Sequence, residues 1–180
     1  MQGAIELTEI EAKVQARTGH PAIMASPPRR RFGCVALILN PDGHVLMVRP
    51  EYKPTKLILP GGSAEPDEAP NVAAARWVLT ETGLVLDLWQ LVAVDYVSAG
   101  EIPEGVNFVF WGGQLPERKA AGAAAPPVER SGILETVWVP PADLPTVTDA
   151  EQTARVIDAL RVVSCGAGIP LLLRGRPAGA

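Results

Sequence analysis

The stretch Gly61 to Leu84, GGSAEPDEAPNVAAARWVLTETGL, gathers the residues whose types and spacing could do chemistry. Trp77, Thr80 and Glu81 stand at i, i+3 and i+4, so on a helix they share one face. A helix is expected over Pro70 to Thr82. Pro70 suits a first turn, because its absent N–H has no helical partner there in any case, and Gly83 suits a left-handed stop. One turn would therefore aim an indole, a hydroxyl and one carboxylate at the same spot. A single carboxylate holds a divalent cation weakly unless substrate phosphates complete the shell. The indole could serve as a stacking platform, as a plug, or simply as packing against a neighbouring loop. Val72, Ala75, Val78 and Leu79 read as the stripe that faces the core.

The pattern resembles the Nudix box: G, five residues, E, seven residues, then R-E-U-x-E-E-x-G-U, with U a bulky aliphatic. Gly62, Glu68, Arg76, Val78, Glu81, Gly83 and Leu84 match it at the right spacing. Leu59-Pro60-Gly61 and Glu65 fit the approach to it. Two positions depart from it, with Trp77 and Thr80 standing where the family has glutamates. The resemblance extends over much of residues 31 to 163. NPDGHVLMVRPEYKPTKLILPGG looks like the opening hairpin of an actinobacterial-type Nudix subgroup, and LETVWVPPADLP like the family's late strand and short helical turn.

That resemblance implies an α+β class, the Nudix fold, an α/β/α sandwich around a mixed β-sheet. It implies diphosphate-bond hydrolysis, in which helix carboxylates and the backbone carbonyl of Gly61 hold Mg²⁺ or Mn²⁺ and the metal activates water. With two glutamates replaced, Mg or Mn binding is expected to be weak or absent. Glu81 and Glu65 are the candidate catalytic acids, with Glu81 and Gly61 the candidate metal ligands. Trp77, Arg49 and Tyr52 are candidates for substrate binding. Gly62, Glu68, Arg76 and Gly83 form the structural part of the box, with Glu68 and Arg76 expected to pair as a clamp. Glu129 and Glu135 are further acids that a later loop could supply. Phe108, Phe110 and Trp111 are aromatic material for a pocket or, more ordinarily, for strand packing.

Several elements must position these residues. RFGCVALIL ends in Asn40-Pro41-Asp42-Gly43, strong turn chemistry, and HVLMVR returns as the second strand of a hairpin. Strand-like runs follow at Leu86 to Val97, Val106 to Leu115 and Leu134 to Val139. Pro116 to Val128, low in complexity, reads as a surface loop. Asp149 to Val163 reads as a helix, and Ile169 to Leu173 could add a strand. Residues 1–30 read as a helical extension and linker, 31–163 as the domain, and 164–180 as a tail. Ile5, Leu7, Ile10 and Val14 make residues 4 to 17 amphipathic, which leaves room for a homodimer.

The formal net charge of −4 argues against a general nucleic-acid or membrane-surface binder, which would need a basic face. Arg29, Arg30 and Arg31 form the one basic run and read as a solvated lead-in to the first strand. Two cysteines, an apolar Cys34 and a turn-like Cys165, suggest no disulfide framework, and cytoplasmic residence is expected. The early Glu6, Glu9 and Glu11 do not suit a signal peptide. Three functions fit: a diphosphate hydrolase of reduced metal affinity, a regulatory protein that binds a small molecule without turnover, or an enzyme using the same cleft for metal-independent chemistry.

Overall fold

A computed structural model describes residues 30–100, 103–123, 132–169 and 171–177. The amphipathic segment at 4 to 17 lies outside the described residues, as does Glu129. The chain runs β1 (Arg31–Leu39), β2 (Val45–Pro50), β3 (Gly61–Ser63), α1 (Pro70–Thr82), β4 (Leu91–Val97), β5 (Gly105–Gln114), α2 (Glu117–Ala123), β6 (Ile133–Val139), a 3₁₀ turn (Pro141–Asp143), α3 (Leu144–Val147), α4 (Ala150–Cys165), β7 (Leu171–Leu173) and β8 (Arg176–Pro177).

The strands form one mixed sheet in the order β6-β2-β1-β5-β4-β7-β8, with β3 pairing β1. β1 runs parallel to β5 and β4 to β7, and the other pairings are antiparallel. The hairpin turn closes with the Gly43 N–H donating to the Asn40 carbonyl at 3.0 Å and the His44 N–H to Asn40 Oδ1 at 2.8 Å. Beyond the Leu39–Val45 pair, β2 diverges from β1, and β3 takes the vacated edge through Gly33–Ser63, Cys34–Gly62 and Val35–Gly61. That exchange of partners brings the box loop into the sheet.

Alternate side chains of β1 feed two cores. Leu37 joins Met47, Val92, Val109, Val156, Ala159 and Val162 beneath α4. Cys34, Ala36 and Ile38 join Ala73, Ala74, Val78, Leu88, Ala120 and Ala123 beneath α1 and α2. Helices thus cover both faces, as the α/β/α sandwich requires.

Four sequence expectations are corrected. Residues 117–123 form a helix instead of a loop: alanine is the strongest helix former, Glu117 lies in the first turn, and Ala120 and Ala123 are buried. The β4 strand begins at Leu91, where the backbone first gains a ladder partner in Phe110. The core face of α1 is also rotated. Ala73, Ala74, Val78, Glu81 and Thr82 are buried, whereas Val72 and Leu79 are 53% and 47% exposed. The two alanines let the helix axis approach the sheet closely, and this rotation carries Trp77 and Glu81 towards β3. Cys165, read as part of a turn, is the last residue of α4.

Candidate functional site

The box is built on two glycines of β3. Gly61 has φ +145°, and a Cβ there would lie 2.2 Å from the Cys34 carbonyl oxygen, so a side chain is excluded both by conformation and by space. A Cβ on Gly62 would lie 2.4 Å from Trp77 Cε2. The indole therefore rests directly on the Gly62 backbone. Its Nε1–H donates to the Ser63 carbonyl at 2.9 Å, and the Arg76 guanidinium sits 5.0 Å from the ring centroid. Arg76 is fixed from its other side: Nε and Nη2 donate to Glu68 Oε1 and Oε2, both at 2.7 Å. This fork, with the Glu65 N–H donating to Glu68 Oε2 at 2.9 Å, holds the Glu68 carboxyl down to about 2.

Glu81 lies one turn beyond Trp77 and is 5% exposed. Its Oε2 accepts the Gly61 N–H at 2.8 Å, and burial outweighs this bond and pushes the carboxyl up to about 7. Thr80 faces outward and donates to the Arg76 carbonyl at 2.9 Å. Among the described residues, no three His, Cys, Asp or Glu side chains come together closely enough to hold a metal ion. Glu68 is engaged by Arg76, Glu81 by backbone, and the Glu65 side chain is 71% exposed, 3.9 Å from Arg76. This donor set does not fit a divalent cation centre supplied by the protein alone.

On the opposite side of β3 lies a cleft of about 380 Å³. Arg31, Gly33 and Val35 reach it from one face of β1, and Tyr52, Lys53, Ile58 and Leu59 from the segment between β2 and β3. Asn107 reaches it from β5, and Asp149, Glu151, Gln152 and Arg155 from the start of α4. The box meets the cleft through Gly61, Gly62 and Ser63. Most charges in it are matched. Lys53 Nζ bonds Asp149 Oδ2 at 2.8 Å, and Asp149 also caps α4 by accepting the Gln152 N–H. Glu151 pairs with Arg174 at 3.0 Å. Arg155 Nε donates to the buried Asp95 at 2.7 Å. Arg31 differs: its Nη1 donates to Asn107 Oδ1 at 3.0 Å, and its buried Nε has no partner among the described residues. Burial first, and then the nearby Arg155 charge, lower its affinity for the proton.

Of the candidates chosen from sequence, Tyr52 and Gly61 line the cleft, and Gly62 edges it. Trp77 and Glu81 lie on the α1 side of β3. Arg49 is outside the cleft, where it donates to Glu135 across the β2–β6 pair and to the Pro54 carbonyl at 3.2 Å. Glu135 is thereby engaged too. Phe108 stacks edge-on against Phe32, and Phe110 and Trp111 pack in the cores. Sequence reasoning missed Arg31, Asn107 and Arg155. Arg31 is no solvated lead-in: it shares the period-2 face of Gly33 and Val35, and that alternation was the available signal. Arg30 does pair outward with Glu104 at 2.9 Å.

A model of the NUDIX domain matches residues 27–160. The chain belongs to the Nudix family. Nudix hydrolases generally use Mg²⁺ or Mn²⁺. Among curated proteins it is similar to the diphosphoinositol polyphosphate phosphohydrolase 2 of Rattus norvegicus, 35% identical over 66 residues, 37% of each chain. It is likewise 35% identical over 66 residues to the human diphosphoinositol polyphosphate phosphohydrolase 3-alpha, 40% of that protein. The match therefore spans about two fifths of these relatives. Among solved structures, a MutT protein from Methanosarcina mazei Go1 is 26% identical with a TM-score of 0.52, over 65% of this chain and 81% of that one. The NUDIX domain of Shewanella oneidensis NrtR, solved with ADP ribose, is 16% identical with a TM-score of 0.61, over 86% and 99%. At that identity the likeness concerns the fold.

Proposed function

We propose that this Nudix protein takes a small diphosphate-type metabolite or nucleotide into the cleft beside Gly61–Ser63, with metal-dependent pyrophosphohydrolase activity weakened or lost. The observation that carries this reading is the turn of α1 beneath β3. There Trp77 seals the Gly62–Ser63 backbone, and Glu81, the one glutamate left of the R-E-U-x-E-E core, is buried and bonded to the Gly61 N–H. Burial pushes this carboxyl up to about 7, and it stands without a second acid beside it among the described residues, so it offers a cation little negative charge. A cation shared between Glu81 and a substrate diphosphate would be held mainly by the substrate. Glu81 and Glu65 are the acids we assign to any residual turnover. The diphosphate class agrees with the activity named in the similar phosphohydrolases and with the ADP ribose bound by a protein of the same fold.

Phosphate release from nucleoside di- and triphosphates and from ADP ribose, with Mg²⁺ and with Mn²⁺, tests this. The wild type should turn over about 10²–10⁴-fold more slowly than the double variant Trp77→Glu/Thr80→Glu, the range associated with a central catalytic group. Brisk wild-type turnover, equal to that of the double variant, would overturn the reading.

A further inference from the structure

We propose that Arg31, supported by Asn107 and opened to the cleft by Gly33, is an anion anchor that binds a phosphate group of the ligand directly, without a metal ion. This inference rests on the cleft reading above and specifies how that cleft neutralises its ligand.

The first observation is charge accounting within the cleft. Lys53, Arg155 and Glu151 each have an oppositely charged partner: Asp149, Asp95 and Arg174. Arg31 has a neutral amide oxygen for a partner, a second guanidinium for a neighbour, and a buried Nε without an acceptor among the described residues. The nearby Asp95 carboxylate is committed to Arg155 and the Gly175 N–H, so no carboxylate bonds the partly buried Arg31 guanidinium, and a guanidinium desolvated without such a bond is costly to the fold unless something anionic repays its lost hydration. Arg155 is near enough for its charge to lower the proton affinity of Arg31, but its own nitrogens are taken by Asp95 and Gln152. Arg31 is thus the guanidinium left to face the paired oxygens of a phosphate.

The second observation is space. A Cβ at position 33 would stand 2.6 Å from Arg31 Nη1 and 2.1 Å from Asn107 Oδ1. The Arg31 guanidinium therefore folds back over Gly33, and the absence of a side chain there is what permits the Arg31–Asn107 arrangement. Gly33 pairs with Ser63, and Val35 pairs with Gly61. Two strand residues span about 7 Å. The guanidinium over Gly33 thus lies roughly that distance along β1 from Gly61, and nearer to Gly62, within the reach of one diphosphate group laid along β3. The positive charge that relatives draw from a metal on the α1 side would here come from an arginine on the other side of the same glycines.

Calorimetric titration of the full chain with sodium pyrophosphate, in EDTA and at low ionic strength, tests the proposal. The wild type should bind saturably, and pyrophosphate should raise its melting temperature. Arg31→Gln should weaken binding at least about tenfold, the loss expected for one charge-assisted hydrogen-bonding group. Asn107→Asp should weaken it to a similar degree, because a carboxylate at that position pairs with Arg31 and adds negative charge beside its cross-strand partner Asp95. This second variant keeps the test decisive if Arg31→Gln fails to fold. Arg118→Gln, an exposed charge on α2, should bind as the wild type does. Absence of saturable binding in EDTA, unchanged affinity in Arg31→Gln or in Asn107→Asp, or displacement by malonate as effective as by pyrophosphate would each overturn the proposal. Failure here is separable from failure of the catalytic reading. Arg31-dependent binding in EDTA together with brisk Mg²⁺-driven cleavage sinks only the latter. Slow cleavage together with Arg31-independent binding sinks only the former.

Discussion

Glu68 and Arg76 show how a box residue can be structural even though it carries charge. The two-pronged bond locks the loop from Ser63 to Ala69 onto the middle of α1, and it also holds Arg76 over the Trp77 ring. Because the Glu68 carboxyl is held down to about 2 in the fold, against an ordinary value of 4.5, the unfolded chain binds its proton first as the pH falls. The stabilisation from this ion pair is therefore fully present above about pH 4.5 and is lost as the pH falls towards 2. Urea unfolding at pH 7, 4 and 3 should show a midpoint that drops over this window. Glu68→Gln should lower the midpoint at pH 7 and flatten the drop. An identical acid slope in the variant would show that Glu68 is not the group responsible.

The α1–β3 contact decides what the site can be. Its tightness comes from Gly62, which leaves no room between backbone and indole. Gly62→Ala should cost about 1–3 kcal/mol by overpacking against Trp77. Trp77→Ala in the same chain should recover part of that loss, since touching residues couple in a double-mutant cycle. Additive losses in chemical denaturation would place the indole elsewhere. Much of this element was legible in the sequence: Pro70, Thr82 and Gly83 gave the helix its bounds, and the Asn40–Gly43 turn gave the first hairpin. The face of α1 was not legible, because Ala73 and Ala74 weigh little in a hydrophobic pattern against Val72 and Leu79. Their small size nevertheless brings the helix close and turns Glu81 inward. The helix of 117–123 was missed for a related reason, since repeated alanine looks featureless while being the strongest helix former. The cleft was hardest to read. Arg31, Asn107 and Arg155 come from separate strands and a distant helix, and only the parallel β1–β5 pairing and the packing of α4 bring them together.

At the scale of the molecule, one side chain ties the sandwich together around that cleft. Asp95 on β4 is fully buried; it accepts from Arg155 of α4 through Oδ2 and from the Gly175 N–H, in the turn between β7 and β8, through Oδ1. The helix layer, the sheet and the last hairpin therefore share one carboxylate. The Gly175 turn is pressed against α4 closely enough that a Cβ there would lie 2.3 Å from the Glu151 carbonyl oxygen. Asp95→Asn keeps the shape but leaves Arg155, whose side chain is 11% exposed, without its countercharge. Breaking a buried pair in this way costs on the order of 3–5 kcal/mol. Unfolding by denaturant should register that loss. Hydrogen exchange should show the Leu171–Pro177 hairpin opening first, because its anchor is weakened while β1, β2 and β5 keep theirs. If Arg155 were instead held mainly by Gln152, its other partner, Asp95→Asn would shift stability little and Gln152→Ala would shift it more. The comparison of those two variants also bears on the cleft. With Asp95 neutralised, Arg155 contributes a second uncompensated charge beside Arg31, so a folded Asp95→Asn protein should bind pyrophosphate more tightly than the wild type, and the ligand should restore part of the lost stability.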